Sequence, residues 1–167
     1  GLLLHASTPV HQDDTEPVRI YAVAGNIEGS TGIGKVILPK SAIIQAGQDV
    51  HNLNLVAQNL NDIDVTRIEA GGDIVYDTPR DSANRLTVNQ AGIQLGGPGS
   101  LELVAGGDLD LGTGLGILTR GNLMNPALPS GGADVMVMVG LAAFDAALDK
   151  LRLDIGAVIR RLGFLLE

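Results

Sequence analysis

Three stretches carry one phrase: Ala46-Gly47-Gln48-Asp49-Val50, Ala70-Gly71-Gly72-Asp73-Ile74 and Ala105-Gly106-Gly107-Asp108-Leu109. Each follows a β-rich run. Ala24-Gly25-Asn26-Ile27 is a shorter version, and Val139-Gly140 a partial copy. Glycines 25, 47, 71, 106 and 140 are separated by 22, 24, 35 and 34 residues. Self-similarity at this period marks stacked structural repeats rather than a chain wrapped around one central site. Each coil of roughly 22 residues is expected to hold two or three short strands, each pairing with its copy one coil on, ~4.8 Å away. The small Ala suits a tight corner, and the Gly is expected to supply a positive φ there. The Asp or Asn that follows can bond a turn amide.

The strand candidates are Val18–Val23, Lys35–Leu38, Ala42–Ala46, Leu53–Ala57, Ile63–Ala70, Ile74–Tyr76, Leu86–Val88, Gly92–Leu95, Leu101–Ala105, Leu109–Leu111, Ile117–Thr119 and Ala133–Val139. They alternate or are rich in β-branched residues, and no helical pattern separates them. The two long spacings place insertions around Asp77–Arg85 and Arg120–Gly132. Insertions bulge from one side of a solenoid, often the binding side.

Composition agrees with a stacked aliphatic core. Of 167 residues, 45% are hydrophobic but only 2% aromatic, so Val, Ile, Leu and Ala must fill the interior. The 23 glycines sit at turns between aliphatic runs. The absence of Cys removes disulfides, thiolate metal sites and a Cys nucleophile. The net charge of −8, with no basic run beyond Arg160-Arg161, gives no nucleic-acid footprint.

Three regions are expected: a poorly ordered leader over residues 1–16, solenoid repeats over 17–140, and an amphipathic helix over 141–167. The helix reading rests on Leu141, Phe144, Leu148, Leu151, Ile155, Val158, Leu162 and Leu165, spaced 3-4-3-4-3-4-3. Charged residues off that stripe argue against insertion of this segment in a membrane. Two placements satisfy the stripe, a cap over its own chain or a contact between subunits, and the unbroken spacing favours the second. The fold class so read is all-β, a right-handed parallel β-helix with a C-terminal amphipathic α-helix. The chain is expected to begin inside a longer protein.

Several motifs invite a chemical reading, and each has a plainer one. Gly29-Ser30-Thr31-Gly32-Ile33-Gly34-Lys35 has the spacing of a phosphate-binding loop, but Val36 replaces the Mg²⁺-binding hydroxyl and a strand pattern follows. Gly112-Thr113-Gly114-Leu115-Gly116 precedes no helical pattern either. Both read as glycine-rich turns. The aspartates 49, 73, 108 and 110 could align on one face and bind Ca²⁺ or act in catalysis, but an Asp in a turn ordinarily bonds backbone. His5, His11 and His51 lack metal-ligand spacing. Asn52, Asn54, Gln58, Asn59 and Asn61 suit amide ladders, with sugar contact the alternative. No catalytic, cofactor-binding or metal-ligating residue is assigned, and neither enzyme activity nor a cofactor is expected.

Val18-Arg19-Ile20-Tyr21-Ala22, the Ala-Gly phrases, Asn52 through Leu60, Gly97-Pro98-Gly99-Ser100-Leu101-Glu102-Leu103, Asp110-Leu111-Gly112, Gly116 through Asn122 and Asn125-Pro126-Ala127-Leu128-Pro129 form an ordered set. Over about Pro17–Gly140 it resembles the repeat region of filamentous-haemagglutinin-family exoproteins of Gram-negative bacteria, of the two-partner-secretion type. The resemblance implies a right-handed β-helix at the cell surface or outside the cell, in adhesion or an extracellular filament. The secretion domain's Asn-Pro-Asn motif has no copy here, because Ala127 follows Asn125-Pro126. The expected partners are further copies of the chain, through the C-terminal helix or the solenoid ends, and cell-surface glycans. Nucleic acid is not an expected partner. The alternative function is a carbohydrate-active β-helix enzyme, lyase- or hydrolase-like, for which Asp73, Asp77, Arg80 and Arg85 are the group at hand.

Overall fold

The computed structural model describes residues 15–122 and 125–142. Among them the chain forms thirteen strands: β1 Val18–Ala22, β2 Ile27–Glu28, β3 Val36–Ile37, β4 Ala42–Ala46, β5 Val50–His51, β6 Leu55–Gln58, β7 Val65–Ala70, β8 Ile74–Val75, β9 Ile93–Gly96, β10 Ser100–Ala105, β11 Leu109–Asp110, β12 Ile117–Arg120 and β13 Asp134–Met138. They assemble into three sheets ordered β1-β4-β7-β10-β13, β2-β5-β8-β11 and β3-β6-β9-β12. Every pairing within these sheets is parallel. Each strand therefore pairs with the strand three later in sequence, which is the connectivity of a β-helix-like solenoid.

Strand alternation sends every second side chain inward. Register then builds aliphatic columns along the stack. Ile20, Ile44, Ile68, Leu103 and Val137 occupy equivalent positions, as do Ala22, Ala46, Ala70 and Ala105. In the second sheet Ile27, Val50, Ile74 and Leu109 line up. In the third, Val36, Leu55, Ile93 and Ile117 do. The middle members of these columns form one core cluster, with Ile44, Ile68, Leu55 and Leu95 fully buried. Thr66 interrupts the column next to Ala42 and Leu101. Its hydroxyl donates to Asn59 Oδ1 at 2.8 Å and accepts from the Ala42 N–H at 3.3 Å.

The expected fold class is corrected. It included a C-terminal α-helix, and no helical element occurs among the described residues. Of the expected helix over 141–167, only Leu141 and Ala142 are described, and 143–167 lie outside the described residues. The Ala142 N–H donates to the Gly106 carbonyl at 2.9 Å, so the last described bonds still run from coil to coil. Of the expected leader over 1–16, residues 1–14 also lie outside the described residues.

Two of the corner glycines act for a different reason from the expected one, while Gly140 has the expected positive φ, 72°. Gly71 and Gly106 do not have positive φ. A Cβ on Gly71 would run into the Gly47 carbonyl, and one on Gly106 into the Gly71 carbonyl. Close stacking of backbone on backbone, rather than a left-handed turn, demands glycine here. Ala24-Gly25 proves to be out of step with the other phrases. Ala22, not Ala24, is in register with Ala46, and a Cβ on Gly25 would meet nothing within 4 Å.

The long coils are explained by two connections. Residues 76–92 join β8 to β9, where 52–54 suffice between β5 and β6. Residues 121–133 join β12 to β13, where 97–99 suffice between β9 and β10. Both insertions flank the third sheet. The first contains an antiparallel bridge between Arg80 and Leu86, so the expected strand over Leu86–Val88 is one arm of a small hairpin.

Candidate functional site

The acidic residues of the repeated phrase stack at the corner between the first and second sheets. Asn26 Oδ1 accepts the Asp49 N–H at 3.0 Å. Asp49 Oδ1 accepts the Asp73 N–H at 2.8 Å, and Asp73 Oδ1 accepts the Asp108 N–H at 2.7 Å. Each side chain thus caps the backbone one coil further on. Gly72 and Gly107 make room for this, because a Cβ on either would strike the carboxylate of Asp49 or Asp73. Asp110 instead accepts the Gly112 N–H at 2.8 Å, two residues along its own turn. No group of three or more His, Cys, Asp or Glu among the described residues is arranged to hold a metal ion. His51, in the second sheet, lies with Nδ1 3.3 Å from Glu28 Oε2 and Nε2 3.9 Å from Asp49 Oδ2. His5 and His11 are outside the described residues.

The corner between the second and third sheets holds the first insertion. Asn52 takes a left-handed conformation (φ 48°) just after β5. Its Nδ2 donates to Asp77 Oδ2 at 2.8 Å, and its Oδ1 accepts the Asp77 N–H at 2.8 Å. The same Oδ1 accepts from Asn89 Nδ2 at 2.7 Å, and Asn89 Oδ1 accepts the Ala91 N–H at 2.9 Å. Asn52 therefore ties together the two feet of the insertion. Tyr76 stands beside them, buried, its hydroxyl donating to the Leu53 carbonyl at 2.7 Å. Burial pushes its phenol pKa up. At the hairpin tip, Asp81 binds Arg85 through a 2.7 Å ion pair and accepts the N–H groups of Ala83 and Arg85. Arg80 Nη1 donates to the Asn84 carbonyl at 2.9 Å.

The four residues of the enzyme alternative are thus each engaged elsewhere. Asp73 holds the next coil, Asp77 holds Asn52, Arg80 holds the hairpin backbone and Arg85 holds Asp81. Among the described residues no two of these four bond to each other.

The third corner is held by another amide. Asn59 Nδ2 lies 3.1, 2.9 and 3.1 Å from the carbonyls of Asp64, Pro98 and Ser100. Asn52 and Asn59 are single brackets between coils rather than members of stacked amide ladders. Gln58 Nε2 donates to the Pro39 carbonyl at 2.6 Å. The Asn54 amide is buried and finds no partner among the described residues. Sequence reasoning missed Asn89, whose role depends on Asn52, 37 positions away.

Lys35 is followed directly by β3 and Gly116 by β12, so neither glycine loop opens a helix. The Gly29 N–H is already bonded to the His51 carbonyl at 2.7 Å. No protein-family model, no curated protein and no solved structure matches this chain.

Proposed function

We propose that the chain is a structural, adhesive shaft segment of a bacterial surface or secreted exoprotein, of the filamentous-haemagglutinin kind that its phrases resemble. The observation that carries the reading is the stack itself. Its core is aliphatic, its polar repeats are used to fasten one coil to the next, and its two long connections among the described residues flank one sheet. Such a construction spends its polar groups on rigidity. The outer face of the third sheet lies between the two insertions, with Ile37 63% and Leu118 45% exposed at its ends and Val56 buried between them. Contact with cell-surface glycans or proteins is assigned to that face and its bordering loops.

The test is adhesion of particles coated with the chain to host cells, beside particles carrying a variant whose 78–88 hairpin is replaced by a short turn. Adhesion lost in the variant, with melting preserved, supports the reading. Equal adhesion by both removes the hairpin from the contact surface, and adhesion by neither, or depolymerisation of a polysaccharide by the purified chain, overturns the reading. Antibody labelling of intact, unpermeabilised producing cells tests the surface location.

A further inference from the structure

Among the described residues, the strand that ends the first sheet, β13, has no pairing partner on its outer side. Its inward neighbours Leu101 and Leu103 are almost wholly buried, yet Val135 and Val137, the next members of those columns, are 48% and 46% exposed. Met136 is 49% exposed and Val139, just past the strand, 50%. The run Val135-Met136-Val137-Met138-Val139 carries no charge and no proline. Natural sheets guard such edges with charges, proline or a cover. The opposite edge, β1, is guarded: Pro17 precedes it and Arg19 stands on it, paired with Glu16 at 2.7 Å.

We propose that β13 is a self-association surface whose occupant is β13 of a second copy, paired antiparallel about Val137. Two observations select this partner. First, the bonding parity fits. The Asp134 N–H is bonded to the Gly99 carbonyl at 2.9 Å, toward β10. In a parallel ladder alternate residues face the same neighbour, so Asp134, Met136 and Met138 face β10 while Val135 and Val137 turn their N–H and C=O outward. Antiparallel pairing about Val137 sets Val137 opposite Val137 of the second copy and Val135 opposite its Val139. Residues opposite each other then exchange both bonds.

Second, the sequence is a palindrome. Read from either end it is Val-Met-Val-Met-Val, which is the self-complementarity a two-fold interface requires. Val meets Val on the core side, continuing the columns of Leu101 and Leu103, and Met meets Met on the outer side. Asp134 falls opposite Gly140, so no like charges are brought together. Stacking β13 on β1 of another copy would instead set Asp134 against Pro17, which has no N–H, and Met136 against Arg19. The two first sheets would join into one continuous sheet. This inference is independent of the adhesive reading.

The experiment uses the whole chain in light scattering, with three variants. The unaltered chain is expected to be a dimer. Val137→Pro removes an N–H that points away from β10, so the internal ladder stays, while association weakens by about tenfold to a hundredfold through the lost pair of bonds. Circular dichroism checks that the β signal is kept. The chain has no cysteine, so Val137→Cys places one thiol per copy at the symmetry centre, where the Cα–Cα distance of about 5.5 Å allows a disulfide. Met138→Cys places its thiol off-centre, about 7 Å or more from its mate, and should oxidise to dimer far more slowly. If Val137→Pro fails to fold, the comparison of the two cysteine variants decides alone. A monomer at high micromolar concentration overturns the proposal, including one in which residues 143–167 protect the Val135 and Val137 amides from exchange. So does a dimer in which Cys at 138 couples as fast as Cys at 137, or a filament that persists in Val137→Pro.

Discussion

At the corner between the first and second sheets, Asn26, Asp49 and Asp73 each accept the amide one coil on, and the arrangement repeats coil after coil. At the corner between the second and third sheets, one side chain, Asn52, holds Asp77 and Asn89 for a single coil. The first solution is periodic and leaves a phrase in the sequence. The second is singular and leaves none. The difference teaches where stability resides. A repeated corner distributes its support over many weak, similar, partly exposed bonds. The singular corner concentrates it in a few buried ones, where an unmatched polar atom is expensive.

The largest effect is expected where the repeated corner stacks backbone on backbone. Gly106→Val drives a side chain into the Gly71 carbonyl, which cannot rotate away. A loss on the order of 3 kcal/mol or more is expected in urea unfolding. Gly25→Ala is the matched control, since its Cβ meets nothing within 4 Å and its φ is not positive. It should fall within about 0.5 kcal/mol of the unaltered chain. Equal losses at the two positions would show that the corner glycines do not act through stacking.

Next in size is the singular corner. Asn52→Ala strands the Asp77 N–H and the Asn89 amide, and places Ala in a left-handed conformation. A loss of about 2–3 kcal/mol is expected. Asn89→Ala should show coupling with it, the double variant losing less than the two singles together. Strict additivity in that cycle would mean that the two amides hold the insertion independently.

The same contrast explains what could be read from the sequence. The Ala-Gly phrases mark coil corners because Gly71 and Gly106 lie against the backbone of the preceding coil, and Gly72 and Gly107, next to them, against the carboxylates of Asp49 and Asp73. The spacing between phrases marked the insertions, since a coil that lengthens must bulge. Strands β2 and β5 lie outside the strand candidates, because each offers one apolar residue, Ile27 or Val50, whereas the equally short β3, β8 and β11 run on into Leu38, Tyr76 and Leu111. Ile27 and Val50 were visible only as the last letter of the phrase. At Gly71 and Gly106 a close approach selects glycine and at Gly140 a positive φ does, and a sequence shows the same residue in both cases. The Ala24-Gly25 phrase misled by similarity, the true partner of Ala46 being Ala22. At the candidate site, Asn52 could be noticed but its partners could not. Asn89 is joined to it only through the fold of a 17-residue connection, and nothing local announces that meeting.

A smaller effect is expected along the acid ladder. Asp73→Ala deprives the Asp108 N–H of its acceptor, but that amide lies near solvent. A loss of about 1 kcal/mol is expected in thermal or urea unfolding. Asp73→Asn keeps an oxygen at the same place and removes a charge from a column that also holds Asp49 and Asp108, so it should be nearly neutral. If the alanine variant were as harmful as Asn52→Ala, the distinction between distributed and concentrated support would fail.

The smallest effect belongs to the hairpin tip. Asp81 has its pKa lowered from the ordinary carboxylate value, first by the Arg85 backbone N–H, then by the Arg85 side chain, with the Ala83 N–H contributing less. A carboxyl whose pKa is depressed on folding adds stability that is fully present above its unfolded pKa and is lost as pH falls through the folded one. The hairpin should therefore hold at neutral pH and loosen only below the usual carboxylate range. Amide exchange reads this directly. The Thr87 N–H, bonded to the Pro79 carbonyl at 2.8 Å, should lose protection on acidification, while the Ile44 and Ile68 amides in the core keep theirs. Asp81→Asn should expose the Thr87 amide at every pH and leave the melting temperature unmoved, because the tip is exposed. A melting temperature that fell with the Thr87 protection would instead make the hairpin a structural part of the stack.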